Sequence, residues 1–335
     1  MASTDWRETI PADEEERFLR YANEIRELQR AATARWGAPG RGLHRKPHGG
    51  FHAEFRVLPD LPAELRAGLF AAPKTFHAVV RFSNGSQHRQ ADRTGDVRGL
   101  AVKVLGVDGK KALGNARTQD FLAIPSSATP FRTADEFVAF VRAASGSQAL
   151  LFPRFARDVG LSRALKILPR LAKGVSVPPA SLAGITYYSA LPVRWGAHAA
   201  RYSFAPATPV SAPPPDKSDR EYLMHDLVAR VKNGPLEWEM RAQLFADEST
   251  TPIEDASIDW PTPWVKVGTL TIPAQDAESA PGRALAERVE SMSFDPWHAL
   301  EEHRPLGNFM RARKHAYFSS TQERRAAPEP EGDSL

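Results

Sequence analysis

The sequence predicts an α+β chain in which short antiparallel strands form a sheet or closed barrel and amphipathic helices accompany it. Two observations lead there. From Phe51 onward, apolar residues alternate with polar ones in short runs bounded by Gly, Pro and Asn, the period of strands joined by tight turns. Other stretches carry a 3.6-residue apolar repeat with helix start and stop signals. With 335 residues, 42% of them apolar, the chain is long enough to bury a substantial core.

Residues 13–36 place Phe18, Tyr21, Ile25, Leu28 and Ala32 on one helical face, with acidic residues opening the first turn and Gly37-Ala-Pro39 closing the segment. The runs FHAEFRVL, HAVVRFS and GLAVKVLGV then read as successive strands, the last ending at Asp108-Gly109. Thr133-Ala-Asp-Glu136 predicts a capping box ahead of the helical FVAFVRAA, and RFARDVGLSRALKILPRLAKG predicts more helix, broken at Pro169. TYYSALPV and HAARYSFAP are strand-like. A proline-rich connection from Ala205 to Pro215 leads to a helix at about 219–232, stopped by Asn233-Gly-Pro235. LEWEMRAQLF alternates as a strand with one wet face, and WVKVGTLTIP supplies another. Short helices fill the C-terminal third. The organisation predicted is a helical arm over 1–37, one body over 38–325, and a disordered tail over 326–335.

Forty-four basic against forty acidic side chains leave a net charge of +4 spread along the chain, which argues against nucleic acid as a partner. Cysteine is absent, excluding disulfides, thiolate-ligated haem, iron–sulfur clusters and cysteine nucleophiles. The N-terminus is polar and acidic where a signal peptide needs an apolar stretch, and no run of 18 apolar residues occurs. The expectation is a cytoplasmic protein with no membrane span.

Arg313-Lys-His-Ala-Tyr317 carries the most chemical information, because a helix sets an arginine over a tyrosine four residues later. A phenol is a poor anion at neutral pH, yet a neighbouring guanidinium and a ferric ion both favour the phenolate, and tyrosinate is a known haem-iron ligand. Alone, the pair reads far more readily as an Arg stem lying on a Tyr ring on a solvated helix face. His44, His48 and His52 are spaced as on a metal-binding helix, but Pro47, Gly49 and Gly50 exclude a regular helix. As a strand entry, the segment aims one histidine into a barrel; His44, ahead of the glycines, is the candidate, and His48 and His52 are structural. Ser83 beside a histidine can fix its tautomer, and Arg81 at the edge of an apolar cavity is a partner for a carboxylate.

The strings LHRKPHGGFHAEFRVLPDLPAELRAGLFAAP, VVRFSNGSQHRQADRTGDVRGLAVKVLGVDG and FDPWHALEEHRPLGNFMRARKHAYFSS together resemble the catalase-related haem proteins, in the short form without a C-terminal flavodoxin-like domain. The likeness runs in order over roughly residues 38–325. It implies an eight-stranded antiparallel barrel around haem b, with helices outside. It also implies Tyr317 as the iron ligand, Arg313 as its guanidinium, His44 as the distal histidine with Ser83 orienting it, and Arg41, Arg81 and Arg324 on the haem propionates.

The activity implied is an oxidoreductase: a haem b peroxidase that reduces hydrogen peroxide or organic hydroperoxides through an oxidised ferryl intermediate, using a small-molecule reductant, with weak catalase activity. Two alternatives stand beside it: donor-independent rearrangement or lysis of fatty-acid hydroperoxides, and a non-catalytic haem carrier or sensor. A homodimer and a homotetramer are both compatible. One departure is evident. Where relatives of this kind carry a distal asparagine, this chain places it on or beside Pro125, so Ser126 or Ser127 is the expected replacement donor, with Asn84 and Asn115 as weaker ones.

Overall fold

The computed structural model of the chain describes residues 2–37, 39–145, 147–175, 177–216 and 218–335. Ala38, where the arm was expected to meet the body, lies outside the described residues. Nine strands form one antiparallel sheet. Strands β1 (Pro47–Val57), β2 (Thr75–Asn84), β3 (Arg98–Leu105) and β4 (Thr118–Ala123) make one half. Strands β5 (Tyr187–Tyr188), β6 (Val193–Trp195), β7 (His198–Pro206), β8 (Leu236–Leu244) and β9 (Trp264–Ile272) make the other. The order is β4-β3-β2-β1-β9-β8-β7-β5, with β6 also paired to β7. At the two ends, Ile124 and Tyr188 exchange backbone hydrogen bonds of 2.8 and 2.7 Å, drawing the eight-strand path into a nearly closed barrel.

The barrel's interior is a packed core. Rings from non-adjacent strands meet across it: Phe55 stacks on Phe121 at 5.8 Å, Phe82 meets Trp238 at 5.8 Å, and Phe121 meets Tyr202 edge-on at 5.1 Å. Such aromatic contacts leave the interior to side chains rather than to a flat ligand. The expectation of a histidine aimed into the barrel core is corrected: Ser83 and Gly99, which neighbour the His44 ring, lie on the strand faces opposite core-facing Phe82 and Leu100.

Seven helices surround the barrel in the described residues: α1 (Glu14–Trp36), α2 (Ala134–Ala144), α3 (Leu151–Val159), α4 (Leu161–Val175), α5 (Tyr222–Asn233), α6 (Ala280–Ser291) and α7 (Asn308–Glu323). Helix α1 forms as its apolar face dictates, burying Phe18, Ala22 and Ala32 mainly against α7, and it ends where Gly37 turns left-handed at φ 71°. No described helix is long and apolar enough to cross a membrane.

Three local expectations change. Helix α4 runs through Pro169, and the break falls at Gly160, whose φ of 87° suits glycine. The capping box is only half made: Thr133 gives no side-chain cap, and Glu136 accepts from the Arg132 N–H at 2.7 Å while Asn308 Oδ1 takes the Ala134 N–H. The last ten residues form no helix or strand, yet they are not loose. Ala327 N donates to Ser291 O at 3.0 Å, Glu329 pairs with buried Lys103 at 2.6 Å, and Arg117 pairs with Asp333 at 3.0 Å. These partners hold a segment whose composition reads as a disordered tail.

Candidate active site

Two strand registers define the floor of the site on the outer face of the β1–β4 half. One row runs Gly50, Arg81, Ala101, Leu122 across β1 to β4. The next pairs Ser83 with Gly99, and the β3–β4 register extended by one residue brings Ile124 opposite Gly99. Ala101 and Leu122 are the only residues of β3 and β4 that are not fully buried, and they are cross-strand partners. Both pack against the buried cluster of Val79, Val289, Met292 and Phe294, which joins this face of the sheet to α6. Helix α7 packs mainly on α1 and to a lesser extent on α2.

His44 sits at the edge of this floor. Its φ of 54° lies in the left-handed region, uncommon for a residue with a Cβ, and its backbone is pinned on both sides. Its N–H donates to Gly85 O at 2.9 Å, and its carbonyl accepts from Arg81 Nη2 at 2.8 Å. The ring Nδ1 lies 3.0 Å from Ser83 Oγ. Burial, then the charges of Arg81, Arg313 and Arg41, push the imidazole pKa down to about 3, so the ring is neutral at ordinary pH. Gly99 makes this placement achievable: a Cβ there would lie 2.6 Å from His44 Cε1 and Nδ1.

Arg313 and Tyr317 share one side of α7 as their spacing predicts, with the guanidinium carbon 5.6 Å from the ring centroid. Both remain half-buried, and both act electrostatically on Tyr202, whose hydroxyl bonds the Leu122 N–H and carbonyl at the barrel wall. Thus Arg313 lies within electrostatic reach of both His44 and that wall. A groove of about 580 Å³ runs along the opposite side of α7, lined by Leu19, Leu113 and Phe318 among others, and none of the candidate residues borders it. A second, of about 320 Å³, opens beside Arg324.

Arg41, Arg81 and Arg324 come from three separate elements and meet at the C-terminal turn of α6. Arg41 Nη1 reaches Glu290 Oε1 at 2.6 Å, and Arg81 Nε reaches Oε2 at 2.7 Å. Arg324 donates to the carbonyls of Ser291 and Met292 at 3.0 and 2.6 Å. Burial and the neighbouring Arg81 hold the Arg41 pKa below its usual value. Burial alone would raise Glu290, but Arg81 and Arg41 outweigh it and keep the carboxylate ionised.

The structure thus brings all seven candidates into one region, three arginines together and His44 with Ser83. It does not bring the replacement donors there. Ser126 is exposed and bonds Ala128 O, and Ser127 Oγ is held by Asp259 at 2.5 Å. Asn115 is exposed, while Asn84 is buried and engaged by His48 at 2.6 Å and by Arg98. β4 faces the site instead with Leu122 and Ile124. His48 is fully buried in its bond to Asn84, a structural role, and His52 is exposed. Glu290 and Gly99 are the residues that sequence reasoning passed over. An acid in the last turn of a helix opposes the dipole, which is the one signal that could have flagged Glu290.

The residues suit a dianionic, flat prosthetic group: a cationic cluster at one edge, an apolar floor, a phenol on one side and a neutral imidazole on another. No family model matches the chain. It is 29% identical over 270 residues to a catalase-related peroxidase of Mycolicibacterium paratuberculosis (strain ATCC BAA-968 / K-10), covering 76% of this chain and 82% of the relative. It superposes on a fungal catalase with a TM-score of 0.66 at 18% identity over 90% of this chain, and on catalase A from Saccharomyces cerevisiae with 0.65 at 19% over 88%. It spans only 61% and 62% of those two catalases. At such identities the superpositions establish a catalase-like fold, and the sequence relative makes the chain similar to a catalase-related peroxidase over three quarters of its length.

Proposed function

We propose that the chain is a haem b-dependent peroxidase acting on hydrogen peroxide or organic hydroperoxides with a small-molecule reductant. The observation that carries the proposal is the convergence of Arg41, Arg81 and Arg324 beside the His44–Ser83 pair. Paired, charge-assisted donors of that kind suit two propionates. Tyr317 would ligate the iron, with the Arg313 guanidinium carbon 5.6 Å from its ring centroid. When bound, haem would supply the redox chemistry of O–O cleavage.

The protein's part is positioning and proton transfer. If His44 Nδ1–H donates to Ser83 Oγ, Nε2 is left as the free base. Nε2 then takes the proton from one peroxide oxygen and returns it to the other, so the leaving group departs as water or alcohol. A neutral ring is required for the first transfer, and the burial that depresses its pKa provides one. Arg81 steadies the same residue through the His44 carbonyl at 2.8 Å.

A second reading, rearrangement of fatty-acid hydroperoxides without a donor, is favoured by the apolar wall of Leu122 and Ile124, which offers no side-chain hydrogen bond to a small second peroxide. The test is an absorption spectrum of haemin-supplied protein before and after a peroxide pulse, followed by product analysis with and without donor. A colourless folded protein sinks the proposal. Turnover of a lipid hydroperoxide lacking any donor oxidation favours the second reading.

A further inference from the structure

We infer that Glu290 sets the charge of the anion site: it neutralises one of three converging arginines and leaves two positive charges, so that the site prefers a ligand bringing two carboxylates. The inference rests on the porphyrin reading above. Arg41 contacts the Glu290 carboxylate at 2.6 Å and its carbonyl at 3.0 Å, and Arg81 contacts both carboxylate oxygens, at 2.7 and 3.4 Å. Arg324 makes no bond to that carboxylate. It shares the Met292 carbonyl with Arg41, at 2.6 and 2.7 Å, and so crowds the same helix end.

The count is three guanidiniums against one carboxylate. Glu329 is the other acid near Arg324, but it is engaged by Lys103 at 2.6 Å and by Ser293. The carbonyls of the α6 terminus carry only partial charge. Arg81 is 3% exposed and Arg41 12%, so their charge is poorly relieved by water. Removing Glu290 would leave three guanidiniums, one of them buried and two partly so, without their carboxylate and shift the preference toward ligands with more carboxylates.

The experiment titrates haem-free protein with metal-free protoporphyrin (two carboxylates), its dimethyl ester (none) and coproporphyrin (four), reading porphyrin fluorescence, with circular dichroism as the fold check. Wild type is expected to prefer the diacid over the diester. Glu290→Gln is expected to raise the coproporphyrin-to-protoporphyrin affinity ratio about tenfold over wild type, the scale of one charge at an intermediate dielectric. Arg324→Gln is expected to move the ratio the opposite way, and decides the matter if Glu290→Gln does not fold. A ratio unchanged in a folded variant that still binds overturns the role of Glu290 alone. Wild type that binds the diester as well as the diacid, or binds no porphyrin, overturns the reading beneath it.

Discussion

Gly99→Ala tests the geometry of the site with a single methyl group. The added carbon would stand 2.6 Å from His44 Cε1 and Nδ1 and 3.0 Å from Ser83 Oγ. Favourable contacts between such atoms begin at about 3.5 Å, so the imidazole must retreat by roughly 1 Å. The His44 backbone cannot follow easily, because Gly85 and Arg81 hold it from both sides. The ring therefore swings, and the 3.0 Å bond to Ser83 passes out of hydrogen-bonding range. Losing that bond costs about 1 kcal/mol in stability. The greater effect is on chemistry, since a displacement of about 1 Å in a proton-transferring group lowers rate by about 10²-fold. Rapid-mixing measurement of peroxide consumption per bound haem reads this directly, and Ser83→Ala, which removes the bond without the clash, should fall between the variant and wild type. A wild-type rate constant in Gly99→Ala with full haem content would show that His44 does not act from this position.

Tyr317→Phe is expected to abolish stable haem incorporation or change the ferric spectrum to another ligation, and an unaltered spectrum would identify a different ligand. His44→Ala should retain haem while peroxide cleavage slows by about 10²–10⁴-fold, measured by stopped flow. Ile124→Asn places a donor opposite Gly99 and should raise oxygen release from hydrogen peroxide relative to turnover of a bulky organic hydroperoxide; an oxygen electrode and product analysis give the ratio, and no change would show that β4 does not face the substrate. For haem-free protein, burial holds His44 at about 3 and His48 and His303 at about 4, below the ordinary value near 6.5, so the unfolded chain binds more protons and stability should fall as pH drops below about 6.5 toward 4. Asp295, which burial pushes up to about 6, opposes part of that trend. A urea midpoint that stays flat between pH 7 and 4.5 would contradict the three histidines being neutral in the fold.

The strands and the long helices were legible in the sequence because each keeps its own period. β7 and β8 fall where HAARYSFAP and LEWEMRAQLF place them, and α1 spans its amphipathic repeat. Which face of the first strands looks inward was not legible. Along β2 the residues from Ala78 to Asn84 are all buried, one set in the barrel core and the other beneath α6, so alternation gives no sign of inside or outside. Arg313 over Tyr317 was legible because four residues on a helix fix it. The meeting of Arg41 with Glu290, 249 residues apart, follows from tertiary packing alone. The replacement donor was misplaced for a related reason: its position depends on the β3–β4 register, which puts Ile124 rather than Ser126 opposite Gly99.

The outward placement of the site bears on its substrate. A barrel filled with stacked rings is a stiff wall, and the residues that project from it hold fixed rows. On those rows the polar groups are confined to β2, where Ser83 serves His44 and Arg81 serves the anion cluster, while β3 and β4 present Gly99, Ala101, Leu122 and Ile124. On the proposed function, a small peroxide bound there would meet a single proton-transferring side chain, His44. Discrimination by an apolar wall is weak, since one methylene is worth only about 1–3 kcal/mol, whereas a missing hydrogen bond to a polar substrate can cost far more. If the proposed peroxidase acts from this site, the arrangement would penalise hydrogen peroxide, which has only polar atoms to offer, more than a hydroperoxide whose carbon chain covers Leu122 and Ile124.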